Sequence, residues 1–472
     1  MICVPATQAS ASRLMSSPHL EEIIEQVDEL VLAKRGKRLT PAELLLIEGA
    51  WHNQDHKEIA SNSSYSLNYL QRTVARKLWP LLSEVLGVEE ISKKSLRHCF
   101  EQLAVKNGYI DPSPVVVAGE PPQAINFYGR TFQLALLKEG IAKQRCLTII
   151  GSAGIGKSTL AAKLIEDLKA TSEGGFDCLI WRSISYAPLL PDLVTDLLQL
   201  LASSLELELD LSADPSVRIS QLLDVLRSHR VLVVLDAAEA ILREDINNRA
   251  HPYRDKYGDY GLFFRRLLEE EQQSCFILTS RQPFNDLALL ETTRPIRSLK
   301  LEGLDRGAAL EFLESQGLSD PEKCSELIQT YRGNPSYLTA VVDRIKHFFG
   351  GSLEKYFEYR TTFVNEAFLS QQFSSLNQIH QQIVLYLAKE LSINPQPLPI
   401  TKLLNSLKTQ IAGISTSELF EVLEVLEARS LVEVSRDPVT QEATFNLQPV
   451  VKKYVLTDPS LVHKFRQNLK SA

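Results

Sequence analysis

The stretch Gly151-Ser-Ala-Gly-Ile-Gly-Lys157-Ser158-Thr159 decides the fold of the chain around it. It follows the apolar run Cys146-Leu-Thr-Ile-Ile150 and precedes residues 160–169, whose pattern is helical. This is the spacing of a phosphate-binding loop, G-x-x-x-x-G-K-[ST], in the strand–loop–helix setting that such a loop needs. Glycines let the main chain wrap closely around an anion, so that N–H groups and the positive end of the following helix point at phosphates. The alternative is a glycine-rich turn that caps an ordinary helix.

The loop residues divide into main-chain and side-chain ligands. We expect Lys157 to neutralise the β- and γ-phosphates and Ser158 to offer its hydroxyl to Mg²⁺, a hard cation that prefers oxygen ligands. The main chain is expected to surround the phosphates at Gly151, Ala153, Gly154, Ile155, Gly156 and Thr159.

Composition narrows the class of protein. The 472 residues are 44% hydrophobic and 23% charged, which is typical of a globular chain of about three domains. A net charge of −7 does not favour nucleic acid or acidic membranes, so a nucleic-acid role would need a local basic patch. Six cysteines without a C-x-x-C pair indicate neither a zinc site nor a disulfide framework. The longest apolar runs are too short for a membrane span and no signal peptide is recognised, so we expect a cytoplasmic protein without membrane contact.

Strand and helix patterns alternate downstream of the loop. Strand-like runs at Cys178–Trp181, Val231–Leu235 and Cys275–Leu278 are separated by helical patterns. Strands separated by helices predict a parallel sheet with flanking helices, the α/β fold of P-loop NTPases. A buried parallel strand also explains why Val231–Leu235 is apolar without alternation.

Three polar residues follow these strands. Asp236 closes an apolar strand and is predicted to hold Mg²⁺ at the carboxyl edge of the sheet, as a Walker B acid. The next position, where many P-loop ATPases carry a second acid, is Ala237, so fast hydrolysis is not expected. Glu239 is either a substitute for that acid, orienting the attacking water, or a solvated acid in a helical first turn. Arg281 ends the next strand and is predicted to sense a γ-phosphate, with a surface arginine as the alternative.

The N-terminal region has helical apolar spacing from about Leu20. Short helices predicted at Pro41–Trp51, Lys57–Ala60 and Leu67–Leu78 resemble a helix-turn-helix of LuxR-like regulators. In the last helix Asn68, Arg72 and Arg76 would line the face opposite the core, where they could enter a DNA groove. Residues 1–110 carry thirteen basic and thirteen acidic side chains. DNA binding and a protein-interaction role therefore both stay open.

Later motifs complete a family resemblance. Phe127-Tyr-Gly-Arg130, the phosphate loop, Val233-Val-Leu-Asp236, Leu278-Thr-Ser-Arg281 and Gly333-Asn-Pro-Ser-Tyr-Leu338 follow one another as in NB-ARC ATPases of the STAND class of signalling switches. The resemblance covers about residues 126–455. It implies adenine contacts from the main chain of Tyr128, Gly129 and Arg130 and from Pro335. It also implies a winged-helix domain in which Gln448 replaces the family's diphosphate-sensing histidine.

The expected organisation is multidomain. An α/β P-loop NTPase domain is combined with an all-α helical subdomain, a winged-helix domain and an N-terminal helix-turn-helix-like domain. The predicted segments are a tail at 1–18, the helix-turn-helix-like domain at 19–106, a proline-rich linker at 107–125, the nucleotide-binding domain at 126–300, the helical subdomain at 301–368 and the winged helix at 369–472.

The resemblance also implies a function. It predicts a switch that binds ATP or ADP with Mg²⁺ and hydrolyses ATP slowly as a reset. The ATP-bound form is a candidate homo-oligomer. The N-terminal domain is expected to bind a protein partner or DNA. The alternatives are a nucleotide-dependent DNA-binding transcription regulator and an AAA+-type DNA remodelling ATPase. The latter predicts a second Walker B acid, which Ala237 does not supply.

Overall fold

A computed structural model gives the architecture of the chain. It describes residues 18–52, 54–86, 91, 96, 99–100, 115–171, 174–243, 252–359, 362–364, 366–374, 376–411 and 413–458. The predicted tail before Pro18 and the first half of the predicted linker lie outside these residues. The chain divides into two compact units, residues 1–114 and 115–472. No helix of the described residues is both long and apolar enough to cross a bilayer.

The first unit is helical, and its helix starts are set by capping residues. Thr40 and Asp55 each form a capping box with the glutamate three residues on, and the Ser66 hydroxyl accepts the N–H of Tyr69. The helices are Pro18–Arg35, Pro41–Trp51, His56–Ser61, Leu67–Tyr69 continued by a π-helical turn Leu70–Ala75, and Arg76–Leu86. Their apolar faces form one core that includes Val27, Ile47, Leu70 and Leu78.

The last predicted helix of this unit is longer than expected. Residues 67–86 are helical throughout, with a π-helical turn in the middle and Pro80 inside the final segment. The burial pattern agrees with the expected faces at Leu70, Val74 and Leu78, which are buried, whereas Leu67 is only half-buried.

The second unit is built on a six-stranded parallel sheet. Its strands are β1 (Val116–Ala118), β2 (Cys146–Ile150), β3 (Cys178–Ser183), β4 (Val231–Asp236), β5 (Cys275–Ser280) and β6 (Ile296–Lys300), in the order β1-β3-β4-β5-β2-β6. The prediction of a parallel sheet with flanking helices is confirmed. Two strands were not predicted: β6, and β1, which lies inside the proline-rich stretch 107–125 and pairs with β3. That stretch therefore contributes an edge strand as well as a connection.

Helices cover both faces of the sheet, as a parallel sheet requires. One hydrophobic cluster includes Thr131–Lys143 and Lys157–Thr171, and the other includes Leu190–Leu205, Pro215–Ser228 and Asp259–Glu269. Short turns at Ala238–Ile241 (3₁₀) and Asn285–Ala288 complete this region. Strand β5 lies between β4 and β2. The residues that follow β5 therefore emerge between Asp236 and the phosphate loop.

The region after β6 is mainly helical. Its helices are Arg306–Ser315, Pro321–Tyr331, Pro335–Phe349, Leu353–Glu358, Glu366–Ser374, Gln378–Ile393, Ile400–Gln410, Thr416–Ala428 and Pro449–Thr457. A small antiparallel sheet has the order β7-β9-β8, with β7 Leu398–Pro399, β8 Val432–Arg436 and β9 Ala443–Leu447. The predicted two-stranded wing thus has a third strand. The assignment of this part as a winged helix remains a prediction.

One hydrophobic cluster joins all of these helices. It runs from Ala309 to Val455 and crosses the predicted boundary at residues 368 and 369. An ion pair between Arg332 and Glu433 links the two sides of that boundary, with Nη2 and Oε2 2.8 Å apart.

Two glycines let the main chain cross itself where the sheet ends and the helices begin. The N–H of Leu304 donates to the carbonyl of Gly333 at 2.8 Å. A Cβ on Gly303 would lie 1.9 Å from the carbonyl oxygen of Arg332, and one on Gly333 would lie 2.4 Å from that of Leu304. Side chains at either position are therefore excluded by backbone contact.

Candidate functional site

The phosphate loop connects β2 to the helix Lys157–Thr171. Gly154 and Gly156 have φ angles of 72° and 101°, which a residue with a side chain rarely adopts. These angles allow the tight turn that brings the helix N-terminus back to the edge of the sheet. The Lys157 ammonium donates to the carbonyls of Gly151 and Ser152 at 2.9 and 3.0 Å. The loop and its lysine thus form one compact unit.

Lys157 is a buried cation. Lys157 is only 9% exposed, and this burial lowers its pKa to about 8. Glu239 and Asp236 act in the opposite direction, whereas Arg281 lowers the pKa further. All three side chains therefore lie within electrostatic reach of this ammonium group.

Asp236 lies beside Ser158. Its Oδ1 atom accepts hydrogen bonds from the hydroxyls of Ser158 and Thr279, each at 2.6 Å. The Thr279 hydroxyl also accepts the N–H of Ala237 at 3.0 Å. Thr279 thus fixes both the Asp236 carboxylate and the main chain that follows it. Sequence reasoning quoted Thr279 only as part of a motif and missed this contact, although a hydroxyl near the end of a central strand was a usable signal.

Glu239 and Arg281 pair with each other. Ala237 has a left-handed φ of 59° and is followed by the 3₁₀ turn Ala238–Ile241, which brings Glu239 back over the end of β5. The Glu239 carboxylate receives Arg281 Nε at 2.9 Å and the Arg281 main-chain N–H at 3.2 Å. Both side chains are partly exposed, at 21% and 37%.

Three successive carbonyls of the loop are bound by other parts of the chain. The Asn334 side-chain amide donates to Ala153 at 3.1 Å, the Ser336 N–H to Gly154 at 3.3 Å and the Arg130 guanidinium to Ile155 at 3.2 Å. Asn334 is 3% exposed and also caps the helix Pro335–Phe349. Its role was missed, because the sequence pattern drew attention to the neighbouring proline.

The residues predicted to contact the base flank this arrangement. The Arg130 guanidinium also donates to the carbonyl of Glu302 at 2.6 Å, and burial lowers its pKa. The Tyr128 hydroxyl donates to the Ser315 hydroxyl at 2.7 Å, and its ring packs edge-on against Phe312. Gly129 precedes Arg130, Pro335 is the first residue of its helix, and Thr159 lies in the first turn after the loop. Base contacts by these residues remain predictions.

The C-terminal part contacts the turn that follows β5, next to Arg281. Arg429, which follows the helix Thr416–Ala428, donates to the side-chain oxygen of Gln282 at 3.3 Å, and both residues are buried. Gln448 lies farther along the chain, between β9 and the helix Pro449–Thr457. Its assignment to the place of the family histidine remains a prediction.

The predicted partner face lies in the first unit. Asn68, Arg72 and Arg76 are all exposed on the helical segment 67–86. Tyr65 and Tyr69 stack nearby with ring centres 5.7 Å apart. The three polar side chains are thus exposed on this helical segment, and their contact with a partner remains a prediction.

Comparison with known families supports the assignments on both units. Residues 19–103 match the N-terminal HTH domain of vWA-MoxR associated proteins, and residues 131–248 match the NB-ARC domain. These ranges contain the helical first unit and the segment from Thr131 through the phosphate loop and Asp236. An NB-ARC domain is a P-loop NTPase domain and so implies nucleotide binding.

The chain is also similar to individual proteins. It is 36% identical over 352 residues to a WD repeat-containing protein of Nostoc sp. strain PCC 7120, and the match covers 71% of this chain and 27% of that protein. The chain therefore spans about a quarter of this relative.

Two solved structures align with the chain at low sequence identity. A Walker-type ATPase of Pyrococcus abyssi aligns with a TM-score of 0.49 at 14% identity, covering 70% of this chain and 96% of that one. A STAND protein of Pyrococcus horikoshii with a tetratricopeptide repeat sensor aligns with a TM-score of 0.35 at 15% identity. This alignment covers 74% of this chain and 46% of that one. From the two family matches, this chain carries an NB-ARC domain, which is a P-loop NTPase domain, behind an N-terminal HTH domain.

Proposed function

We propose that this chain is a nucleotide-controlled switch that binds ATP or ADP with Mg²⁺ and transmits the state of the phosphates to its C-terminal helices. The observation that carries the proposal is the binding of the Ala153, Gly154 and Ile155 carbonyls by Asn334, Ser336 and Arg130. Any nucleotide-induced shift of the loop changes these three bonds. A ligand that favours one arrangement of the loop thereby favours one position of the helix Pro335–Phe349.

The residues at the sheet edge fit magnesium. Within the described residues no cluster of three His, Cys, Asp or Glu side chains could hold a metal alone. Ser158 and Asp236 instead offer a hydroxyl and a carboxylate 2.6 Å apart. Mg²⁺ commonly takes one or two protein oxygens and completes its shell with phosphates and water. When bound, the ion would neutralise charge on the β- and γ-phosphates, while Lys157 binds the same phosphates from the loop.

Slow turnover follows from the position after Asp236. Ala237 has no group that can accept a proton or orient water, and its N–H is already bound to Thr279. Without a positioned base, hydrolysis serves as a reset and not as rapid catalysis. The base of the nucleotide is assigned to the Tyr128-Gly129-Arg130 segment and Pro335, as the family resemblance implies.

The nucleotide carried by the purified protein tests this proposal. After denaturation, chromatography should release close to one ADP or ATP per wild-type chain and almost none from Lys157→Ala. Lys163→Ala is the matched control, because Lys163 lies on the same helix and pairs with Glu166 and Asp167. Guanine nucleotide in the wild type, or equal adenine nucleotide in Lys157→Ala, would contradict the proposal.

Assembly is the second part of the proposed switch. We propose that ATP, and not ADP, releases the C-terminal helices and exposes surface for a homo-oligomer. Light scattering of the full chain with each nucleotide measures this. The same mass with both nucleotides would remove assembly from the proposal and leave nucleotide binding intact.

A nucleotide-dependent DNA-binding regulator is the second candidate. It is favoured by the exposed Asn68, Arg72 and Arg76, which are spaced four residues apart on one helical face. Retention of duplex DNA at low salt should fall at least tenfold in Arg72→Ala/Arg76→Ala if phosphates are bound there. No retention by the wild type would favour a protein partner for this face.

A further inference from the structure

The ion pair between Glu239 and Arg281 lies within the site that the previous proposal assigns to the phosphates. Glu239 holds Arg281 twice, at Nε over 2.9 Å and at the main-chain N–H over 3.2 Å. A carboxylate with both oxygens on one residue positions that residue firmly. Arg281 is therefore already paired with an anion of the chain itself.

The local fold explains why this pair forms. The left-handed residue Ala237 turns the chain into the 3₁₀ segment that carries Glu239. Thr279 binds the Ala237 N–H and so fixes the start of this turn to β5, two residues before Arg281. The pair is thus fixed by the same contacts that position Asp236.

Both members of the pair lie close to the phosphate-binding lysine. The carbonyl of Ser280, the residue before Arg281, accepts the N–H of Gly151 at 3.2 Å, and the carbonyl of Gly151 accepts the Lys157 ammonium at 2.9 Å. Arg281 and the Glu239 that pairs with it therefore lie beside the start of the phosphate loop. A third phosphoryl group beside Lys157 would compete with the Glu239 carboxylate for the Arg281 guanidinium. A diphosphate would leave the pair in place.

We propose that Glu239 is a positioning residue that competes with the γ-phosphate for Arg281 and thereby biases the site towards ADP. This inference rests on the proposed nucleotide switch. ATP gains the Arg281 contact only by breaking the Glu239 pair, whereas ADP breaks nothing. The resting chain therefore retains the diphosphate, and exchange to ATP is the step that needs a signal.

The role differs from that of a general base. If Glu239 oriented the attacking water, Glu239→Gln would slow turnover and leave equilibrium binding of the two nucleotides alone. A competitor for Arg281 makes the opposite prediction. The ratio of the dissociation constants for ADP and ATP is the readout, because a purely structural role would change both in the same direction.

A double-mutant cycle separates the effect of the Glu239–Arg281 pair on nucleotide binding from the effect of the Glu239 charge alone. Dissociation constants for ADP and ATP are measured by displacement of a fluorescent adenine nucleotide from the full-length wild type, Glu239→Gln, Arg281→Gln and the double variant. In Glu239→Gln we expect ATP to bind about three- to fivefold more tightly relative to ADP, the size of a partly exposed ion pair. In the Arg281→Gln background the same substitution should leave the ratio unchanged within experimental error.

A matched control removes one negative charge elsewhere. Glu269→Gln breaks a partly exposed ion pair with Arg294. Glu269 ends the helix Asp259–Glu269, which leads into the start of β5 and so lies away from the phosphate loop. The ratio of the dissociation constants for ADP and ATP in this variant should equal that of the wild type.

The possible outcomes decide between the two proposals. An unchanged ratio in Glu239→Gln, or an equal shift with and without Arg281, overturns the competition while leaving the switch standing. Absence of any nucleotide binding in the wild type overturns the switch itself. Loss of turnover in Glu239→Gln with an unchanged ratio assigns Glu239 as the base instead.

Discussion

Lys157 provides a test of the site that does not depend on nucleotide. Its ammonium is buried, and its pKa falls from an ordinary 10.5 to about 8 because burial disfavours the charged form. Between these two values the folded chain binds fewer protons than the unfolded chain, so raising the pH favours folding. Replacing Lys157 by methionine keeps an unbranched side chain that is one atom shorter and removes this titration.

The size of the effect follows from the two pKa values. Below pH 8 the buried ammonium opposes folding by about 3 kcal/mol relative to its neutral form, and this cost disappears as the pH rises towards 10.5. The wild type should therefore gain about 2 to 3 kcal/mol of unfolding free energy over Lys157→Met between pH 7 and pH 10.

Urea unfolding of nucleotide-stripped protein measures this difference. Trp181 lies on β3 and is buried, so its fluorescence reports the sheet once Trp51 and Trp79 of the first unit are replaced by phenylalanine in every variant. Lys163→Met is the control, since the Lys163 ammonium is at the surface and paired with Asp167. Parallel pH profiles for the wild type and Lys157→Met would refute the burial of this cation.

Three further outcomes follow from side-chain contacts. Thr279→Val should raise the Mg²⁺ concentration needed for half-maximal ATP binding about tenfold, because the Walker B carboxylate loses one of its two hydroxyl donors; an unchanged magnesium titration would contradict this. Asn334→Ala leaves the Ala153 carbonyl unbound and removes a helix cap, so we expect a loss of about 2 kcal/mol in unfolding free energy, and a loss below 0.5 kcal/mol by urea titration would speak against it. Glu43→Gln removes the partner of Arg35, whose hydrogen bond is the main reason that the pKa of Glu43 is lowered to about 2. The pair therefore stabilises the wild-type first unit above pH 4.5, and this stability is lost as the pH falls towards 2. Circular dichroism at pH 3 and 7 should find the variant less sensitive to acid than the wild type.

Local sequence patterns were sufficient to predict much of the fold of the second unit. The phosphate loop and Asp236 depend on residues close in sequence or on the end of a strongly apolar strand, so the sequence predicted the position of both in the fold. Strands β1 and β6 were missed for physical reasons. Val116–Ala118 is only three residues long and lies among prolines, and Ile296–Lys300 mixes apolar with charged residues.

Contacts between distant segments could not be read from spacing. Asn334 reaches Ala153 across 181 residues, and Thr279 reaches Asp236 across 43. The polar character of each residue was visible, but its partner depends on the strand order and on the crossing of loops. The same limit explains why Glu239 and Arg281 were considered separately when the folded chain makes them one pair.

The backbone crossing at Gly303 and Gly333 has a consequence for how the helices can move. The bond from Leu304 to Gly333 fastens the segment that follows β6 to the turn that carries Asn334. In the proposed switch, the helix Pro335–Phe349 can leave the phosphate loop only after this backbone bond opens. The amide proton of Leu304 should therefore exchange with deuterated solvent faster with ATP than with ADP, in step with the release of Ala153.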